Sequence, residues 1–210
     1  MNQILDLTKE KNYGLLSLPA KILKEGNVVV YPTDTVYGIG TIVEENALRK
    51  LFAAKKRDLN KPINVLVSDI KMIYEVAEDI SALELKIIKN FFPGPLTIIL
   101  KKKKGIPDIL TAGLDTVGVR MPDNEIALKL ISLVNHPLAT TSANISGKPS
   151  DTNIAAAKKD LEASNVAMFI DGGESKIGIP STIVKVQNDE IIILREGSIS
   201  KEDILRKIIE

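Results

Sequence analysis

Apolar residues along this chain follow two alternating rhythms: short β-branched runs that read as buried strands, and longer stretches at helical spacing. Loops of small polar residues separate them. Residues 28–31 form a strand that leads into the loop PTDTVYGIG, 32–40. Residues 44–56 place Ala47, Leu48, Leu51, Phe52 and Ala54 near one helical face, and the basic residues at the end complement the helix dipole. The pattern then predicts a strand at 63–67, helices at 70–77 and 82–92, and a stop at Pro93-Gly94-Pro95. Strands follow at 96–100 and 116–121, then a helix at 125–134 and a strand opening at Leu138. A helix at 154–161, a strand at 167–170 and a glycine-rich loop at 171–182 come next. Residues 183–186 and 191–194 pair as a hairpin, and a last helix covers 200–208. Without an internal repeat or a linker, the expectation over 1–210 is a single α/β domain, a twisted mixed sheet flanked by helices.

Composition narrows the function classes. With 44% hydrophobic residues and a mean hydropathy of +0.08, the chain can bury a substantial core. Its apolar runs fall far short of a membrane span and the amino end lacks a signal-peptide pattern, so no membrane partner and a cytoplasmic location are expected. The absence of cysteine excludes disulfides and thiolate metal sites. His136, the only histidine, cannot form a histidine cluster and reads as structural. Twenty-eight Lys and Arg against 27 Asp and Glu leave no global field for polyanions. Locally, basic residues gather at Lys55, Lys56, Arg57 and Lys61, and again at 101–104. The second run follows a strand and reads as a solvated sheet edge.

Candidate chemistry concentrates in LATTSANISGKPS, residues 138–150. An apolar strand becomes a loop of small hydroxyl and amide side chains with Gly147, which suits oxygen-rich ligands at a strand's end and also suits an ordinary solvated turn. Thr33-Asp34-Thr35, Pro180-Ser181-Thr182 and Arg195-Glu196-Gly197 share its composition and also sit at strand ends, so the loops are expected to converge. Arg120, between Val119 and Met121, requires an anion from the protein or from a ligand, because an unpaired buried guanidinium is very costly.

Together these residues resemble the YrdC/TsaC-type threonylcarbamoyl-AMP synthases, in their short form without an extra carboxyl-terminal domain. The family's lysine-x-arginine and serine-x-asparagine signatures stand here as Lys55-Lys56-Arg57 and Ser142-Ala143-Asn144. The PTDTVYGIG segment, Pro93-Gly94-Pro95, Val119-Arg120-Met121-Pro122, Pro180-Ser181-Thr182 and Leu194-Arg195-Glu196-Gly197 are landmarks in the family's order. Two positions depart: Asp58 replaces the usual proline, and Leu66 stands where many longer members carry a histidine.

The resemblance implies a YrdC-like fold and a nucleotidyltransferase that joins L-threonine, bicarbonate or CO2, and ATP into threonylcarbamoyl-AMP and pyrophosphate for tRNA modification. A downstream threonylcarbamoyl-transferase machinery would consume the product. Catalysis falls to Lys55, Arg57, Ser142 and Asn144. The ATP side comprises Lys55, Arg57, Lys61, Thr116, Asn144, Ser150 and Arg195, and the threonine side Thr35, Arg120, Ser142 and Ser181, with Arg120 at the carboxylate. Mg2+ would arrive on the triphosphate, with no protein metal cage. The alternative is an RNA-binding module in tRNA or ribosome maturation; balanced charge and 4% aromatic residues weaken it, while weak RNA binding stays open.

Overall fold

The computed structural model describes residues 3–161 and 164–209 of the chain. In chain order the elements are β1 (Gln3–Asp6), a 3-10 turn (Tyr13–Leu16), α1 (Ser17–Lys24), β2 (Val29–Tyr31), β3 (Gly38–Ile42) and α2 (Glu45–Lys55). Next come β4 (Asn64–Leu66), α3 (Ile73–Val76), α4 (Ala82–Phe91), β5 (Leu96–Lys101), α5 (Asp108–Thr111), β6 (Thr116–Arg120) and α6 (Glu125–Val134). The chain continues with β7 (Leu138–Ser142), α7 (Ile154–Leu161), β8 (Met168–Asp171), β9 (Thr182–Gln187), β10 (Glu190–Arg195) and α8 (Lys201–Ile209).

Among the described residues, ten strands form one sheet in the order β1-β8-β2-β3-β7-β4-β6-β5-β9-β10. β1 with β8, β2 with β8, β4 with β6 and β5 with β9 are parallel, and the other pairs are antiparallel, so the sheet is mixed as expected. The predicted hairpin is β9 and β10, joined by Asn188 and Asp189, both at positive φ as a two-residue turn that follows strand twist demands.

Period-two alternation sorts the central strands. Val65, Ile98, Leu100, Val117, Val119 and Val184 are buried in the core, where α4 packs on β5 with Ile87 and Ile88. Their neighbours Asn64, Leu66, Thr97, Ile99, Thr116, Arg120, Ile183 and Lys185 line an open cleft instead. Gly118 makes this possible on β6: a Cβ there would come within 2.3 Å of the Asn64 amide oxygen.

Several segments depart from the expected pattern for physical reasons. The pattern assigns residues 32–40 to a loop, yet β3, GIGTI, begins at Gly38, where β2 and β7 enclose it and bury every residue. Its glycines are required by packing, since a Cβ on Gly40 would lie 2.7 Å from the Tyr31 hydroxyl. α1 carries Pro19 within its first turn, where proline is tolerated, and buries Pro19, Ala20 and Leu23. Lys101 ends β5, which lies between β6 and β9, so the run at 101–104 is not at a sheet edge; β1 and β10 are the edges. Its cations pair locally: Lys101 with Glu78 and Asp79, and Lys102 with Asp108, while Lys103 donates to the Tyr74 carbonyl. His136 is exposed, 3.4 Å from Glu75 and outside the cleft.

Candidate active site

The cleft has a volume of about 820 Å³ and is walled by β4, β5, β6, β7, the β9–β10 hairpin and the loops after β2 and α2. At its floor lies Arg120, 6% exposed at the end of β6. The anion that its burial required is Asp34, itself 3% exposed and in a salt bridge with the guanidinium. Arg120 also donates from Nε to the Gly94 carbonyl at 3.0 Å and from Nη1 to the Thr35 hydroxyl at 2.8 Å. Burial pushes the arginine's pKa down and Asp34 opposes that shift. Each of its three nitrogens thus has one protein acceptor, and two of its five N–H hydrogens remain for a ligand.

Beside Arg120, the Thr97 and Ser181 hydroxyls share a 2.8 Å hydrogen bond, and Arg195 donates to both the Ser181 carbonyl and its hydroxyl. Thr35, Arg120, Ser142 and Ser181 all line the cleft, as do Arg57, Lys61, Thr116, Ser150 and Arg195. Thr97, Asn64 and Lys185 line it too. Each interrupts apolar neighbours on its strand, a pattern present in the sequence but outside the family motifs.

Lys55 and Asn144 are placed differently. α2 ends at Lys55, and Lys56 closes it in the left-handed conformation with φ 51°, its backbone N–H bonded to the Ala53 and Phe52 carbonyls. The turn sends three consecutive residues three ways: Lys55 inward, Lys56 to solvent and Arg57 to the cleft. Lys55, 1% exposed, donates to the Ser142 carbonyl, to the Asn144 carbonyl at 2.7 Å and to the Asn144 amide oxygen at 3.3 Å. Asn144 in turn donates its amide to the Ile145 and Lys148 carbonyls at 3.1 and 2.6 Å. Neither side chain lines the cleft. The two lock the loop after β7 from beneath, while the Ser142 side chain faces the opening. Arg57 spans its own loop, donating to the Lys61 carbonyl at 3.2 Å and the Pro62 carbonyl at 2.9 Å.

A family model described as telomere recombination, spanning the Sua5, YciO and YrdC proteins, matches residues 21–197. The chain belongs to this family. Within the Sua5/YciO/YrdC family it is 38% identical over 209 residues to a threonylcarbamoyl-AMP synthase of Pyrococcus abyssi, covering 99% of this chain and 61% of that one. It is 42% identical over 205 residues to a putative threonylcarbamoyl-AMP synthase of Methanocaldococcus jannaschii, covering 97% of this chain and 96% of the relative. The crystal structure of P. abyssi Sua5 complexed with L-threonine superposes with a TM-score of 0.93 over 98% of this chain and 60% of that one. The chain therefore spans about three fifths of the P. abyssi relative and nearly all of the M. jannaschii one. The sheet and its flanking helices are those of the Sua5/YciO/YrdC fold. Leu66, the departure on β4, is 4% exposed and directly opposite Arg120 in the β4–β6 register, so an apolar residue stands beside the guanidinium. No described helix is long and apolar enough to cross a membrane.

Proposed function

We propose that this chain is a cytoplasmic threonylcarbamoyl-AMP synthase, forming its adenylate and pyrophosphate from L-threonine, bicarbonate or CO2, and ATP. One observation carries the reading: a single cleft joins a small hydroxyl and guanidinium pocket at Thr35, Arg120, Thr97 and Ser181 to cations at Arg57, Lys61 and Arg195. The solved P. abyssi relative, complexed with L-threonine, supports it.

In this reading the threonine amine, as its carbamate, presents a carboxylate oxygen to the α-phosphorus of ATP. A bond forms between that oxygen and phosphorus, the bond to the bridging oxygen breaks, and pyrophosphate leaves. No protein nucleophile takes part, so the residues bind, orient and neutralise charge. Arg57 and Lys61 hold phosphate oxygens, with Thr116, Ser150 and Arg195 on the nucleotide side. Two free N–H groups of Arg120 take the threonine carboxylate, and the Ser142 hydroxyl faces the reacting oxygens. Lys55 and Asn144 act on the nucleotide indirectly by fixing the loop that carries Ser142, since their polar atoms are engaged within it. Magnesium would arrive on the triphosphate and neutralise part of its charge there. The product passes to a transferase that moves the threonylcarbamoyl group onto tRNA.

Incubation with ATP, Mg2+ and bicarbonate plus each amino acid in turn, followed by mass analysis, tests the assignment. The threonylcarbamoyl adenylate is the expected product. Serine should react less efficiently by about five- to tenfold, because the lost methyl contact is worth roughly 1 kcal/mol or slightly more. Equal efficiencies for serine and threonine would refute the pocket assigned here.

A further inference from the structure

Thr33 lines the cleft beside Thr35 and belongs to a hydrogen-bond chain whose direction is decided by its two ends. At one end Arg120 Nη1, which can only donate, gives a hydrogen to Thr35 Oγ1 at 2.8 Å. At the other end the Val36 carbonyl, which can only accept, takes the hydrogen of Thr33 Oγ1 at 2.6 Å. Between them the two threonine hydroxyls lie 3.1 Å apart. Thr33 has spent its only hydrogen on Val36, so the bond between the hydroxyls must run from Thr35 to Thr33. Backbone N–H groups of Thr35 and Val36, each at a longer 3.3 Å from Thr33 Oγ1, share its second lone pair and leave the first to the Thr35 hydroxyl. Both residues are almost fully buried, at 4% and 1% exposure, with only a small face of each on the cleft wall.

Thr35 therefore reaches the cleft with a lone pair and no hydrogen. The Thr97–Ser181 pair has the opposite polarity. Arg195 donates to Ser181 Oγ at 3.2 Å and one hydroxyl donates to the other, which leaves one hydroxyl hydrogen for the cleft whichever way the pair is arranged. In the antiparallel β5–β6 register, with Ile98 opposite Val119, Thr97 falls opposite Arg120, so donors cluster there. An amino acid seated in this pocket meets donors at Arg120 and the Thr97–Ser181 pair and an acceptor at Thr35.

We infer that Thr33 is a positioning residue that holds Thr35 as an obligate hydrogen-bond acceptor, so that a donor-bearing group of the amino acid, its amine or hydroxyl, faces Thr35 and its carboxylate does not. The inference rests on the threonine reading above and names a residue and an orientation that the reading leaves open.

A double-mutant cycle on L-threonine affinity, measured by titration calorimetry on the full chain, tests it. Thr33→Val should weaken threonine binding about five- to tenfold, the worth of one oriented hydrogen bond. ATP affinity should stay within twofold. Thr33→Ser keeps the hydroxyl and should restore threonine affinity. In a Thr35→Val background, Thr33→Val should cost nothing further, because its effect runs through the Thr35 hydroxyl. If Thr33→Val does not fold, Thr33→Ala serves as the same deletion in the cycle. Additive losses, equal weakening of ATP, or failure of serine to rescue would overturn the inference while leaving the function standing. Absence of threonine binding by the unaltered protein would overturn both.

Discussion

Replacing Arg57 by alanine is expected to slow adenylate formation by about two orders of magnitude or more, the scale found when a donor to developing charge is removed from an active site. The melting temperature should fall by no more than about 2 °C, because the acceptors that Arg57 leaves, the Lys61 and Pro62 carbonyls, belong to a loop that water can reach. Arg57→Lys should recover only part of the loss: an ammonium retains the charge but cannot span two carbonyls and still present a flat face of donors to phosphate. The neighbouring Lys56→Ala should leave turnover within about twofold, since Lys56 is exposed at a left-handed helix cap and directed away from the cleft. A surface that held RNA through diffuse positive charge would make the two lysine and arginine changes comparable and would weaken RNA binding steeply with salt. Equal losses from Lys56→Ala and Arg57→Ala would favour that alternative.

Lys55→Met is expected to destabilise the fold as well as abolish efficient turnover. The change removes the donor shared by the Ser142 carbonyl, the Asn144 carbonyl and the Asn144 amide oxygen, and buried acceptors stripped of a donor cost about 1 to 3 kcal/mol each. Methionine also removes a buried ammonium whose desolvation opposes folding, so the net loss falls below the sum of the three, at about 2 to 4 kcal/mol or roughly 5 to 15 °C in a domain of this size. A lysine that served only to bind phosphate would instead leave the melting temperature unchanged and raise the KM for ATP. The pH dependence gives a second handle. Burial, reinforced by Arg57, pushes the Lys55 ammonium from its ordinary 10.5 down to about 7, against the pull of Asp151 and Asp160. The folded protein therefore releases this proton before the unfolded chain does. The associated stability is complete above 10.5 and is lost as pH falls toward 7. Unfolding titrations at several pH values should show the native protein gaining on Lys55→Met between these limits, by at most about 1.4 kcal/mol per pH unit. A constant difference across that range would contradict the burial of a titrating lysine.

Much of this arrangement was legible along the chain because local and global preferences agree there. α6 carries an Asn124 cap and an apolar stripe at Ile126, Ala127, Leu130, Ile131 and Val134, and it forms over the residues that its pattern predicts. The hairpin at Asn188-Asp189 is similar, since both residue types tolerate the backbone that the turn demands. β3 was not legible. Its glycines argue against a strand until the Tyr31 and Thr140 side chains that occupy their missing Cβ positions are known, and these come from β2 and from β7, a hundred residues later.

The site divides in the same way. That Arg120 needs an anion follows from burial chemistry alone, but that Asp34 supplies it depends on a meeting across the fold. Motif spacing brought Lys55, Arg57, Ser142 and Asn144 to notice together without showing that two face the cleft and two hold the loop beneath it. The left-handed turn at Lys56 separates the roles, and the expectation of a helix through residue 56 hid it. Thr97 lacks any motif and Thr33 lies within one without a role of its own; both roles emerge only from the direction of hydroxyl hydrogen bonds.

The central claim is that one cleft couples a threonine carbamate to the α-phosphorus of ATP, and single-omission measurements of pyrophosphate release test it most directly. With the purified chain, Mg2+ and ATP, release should require both L-threonine and bicarbonate and should fall to background when either is left out. Release that continues unchanged without threonine or without bicarbonate would contradict the account.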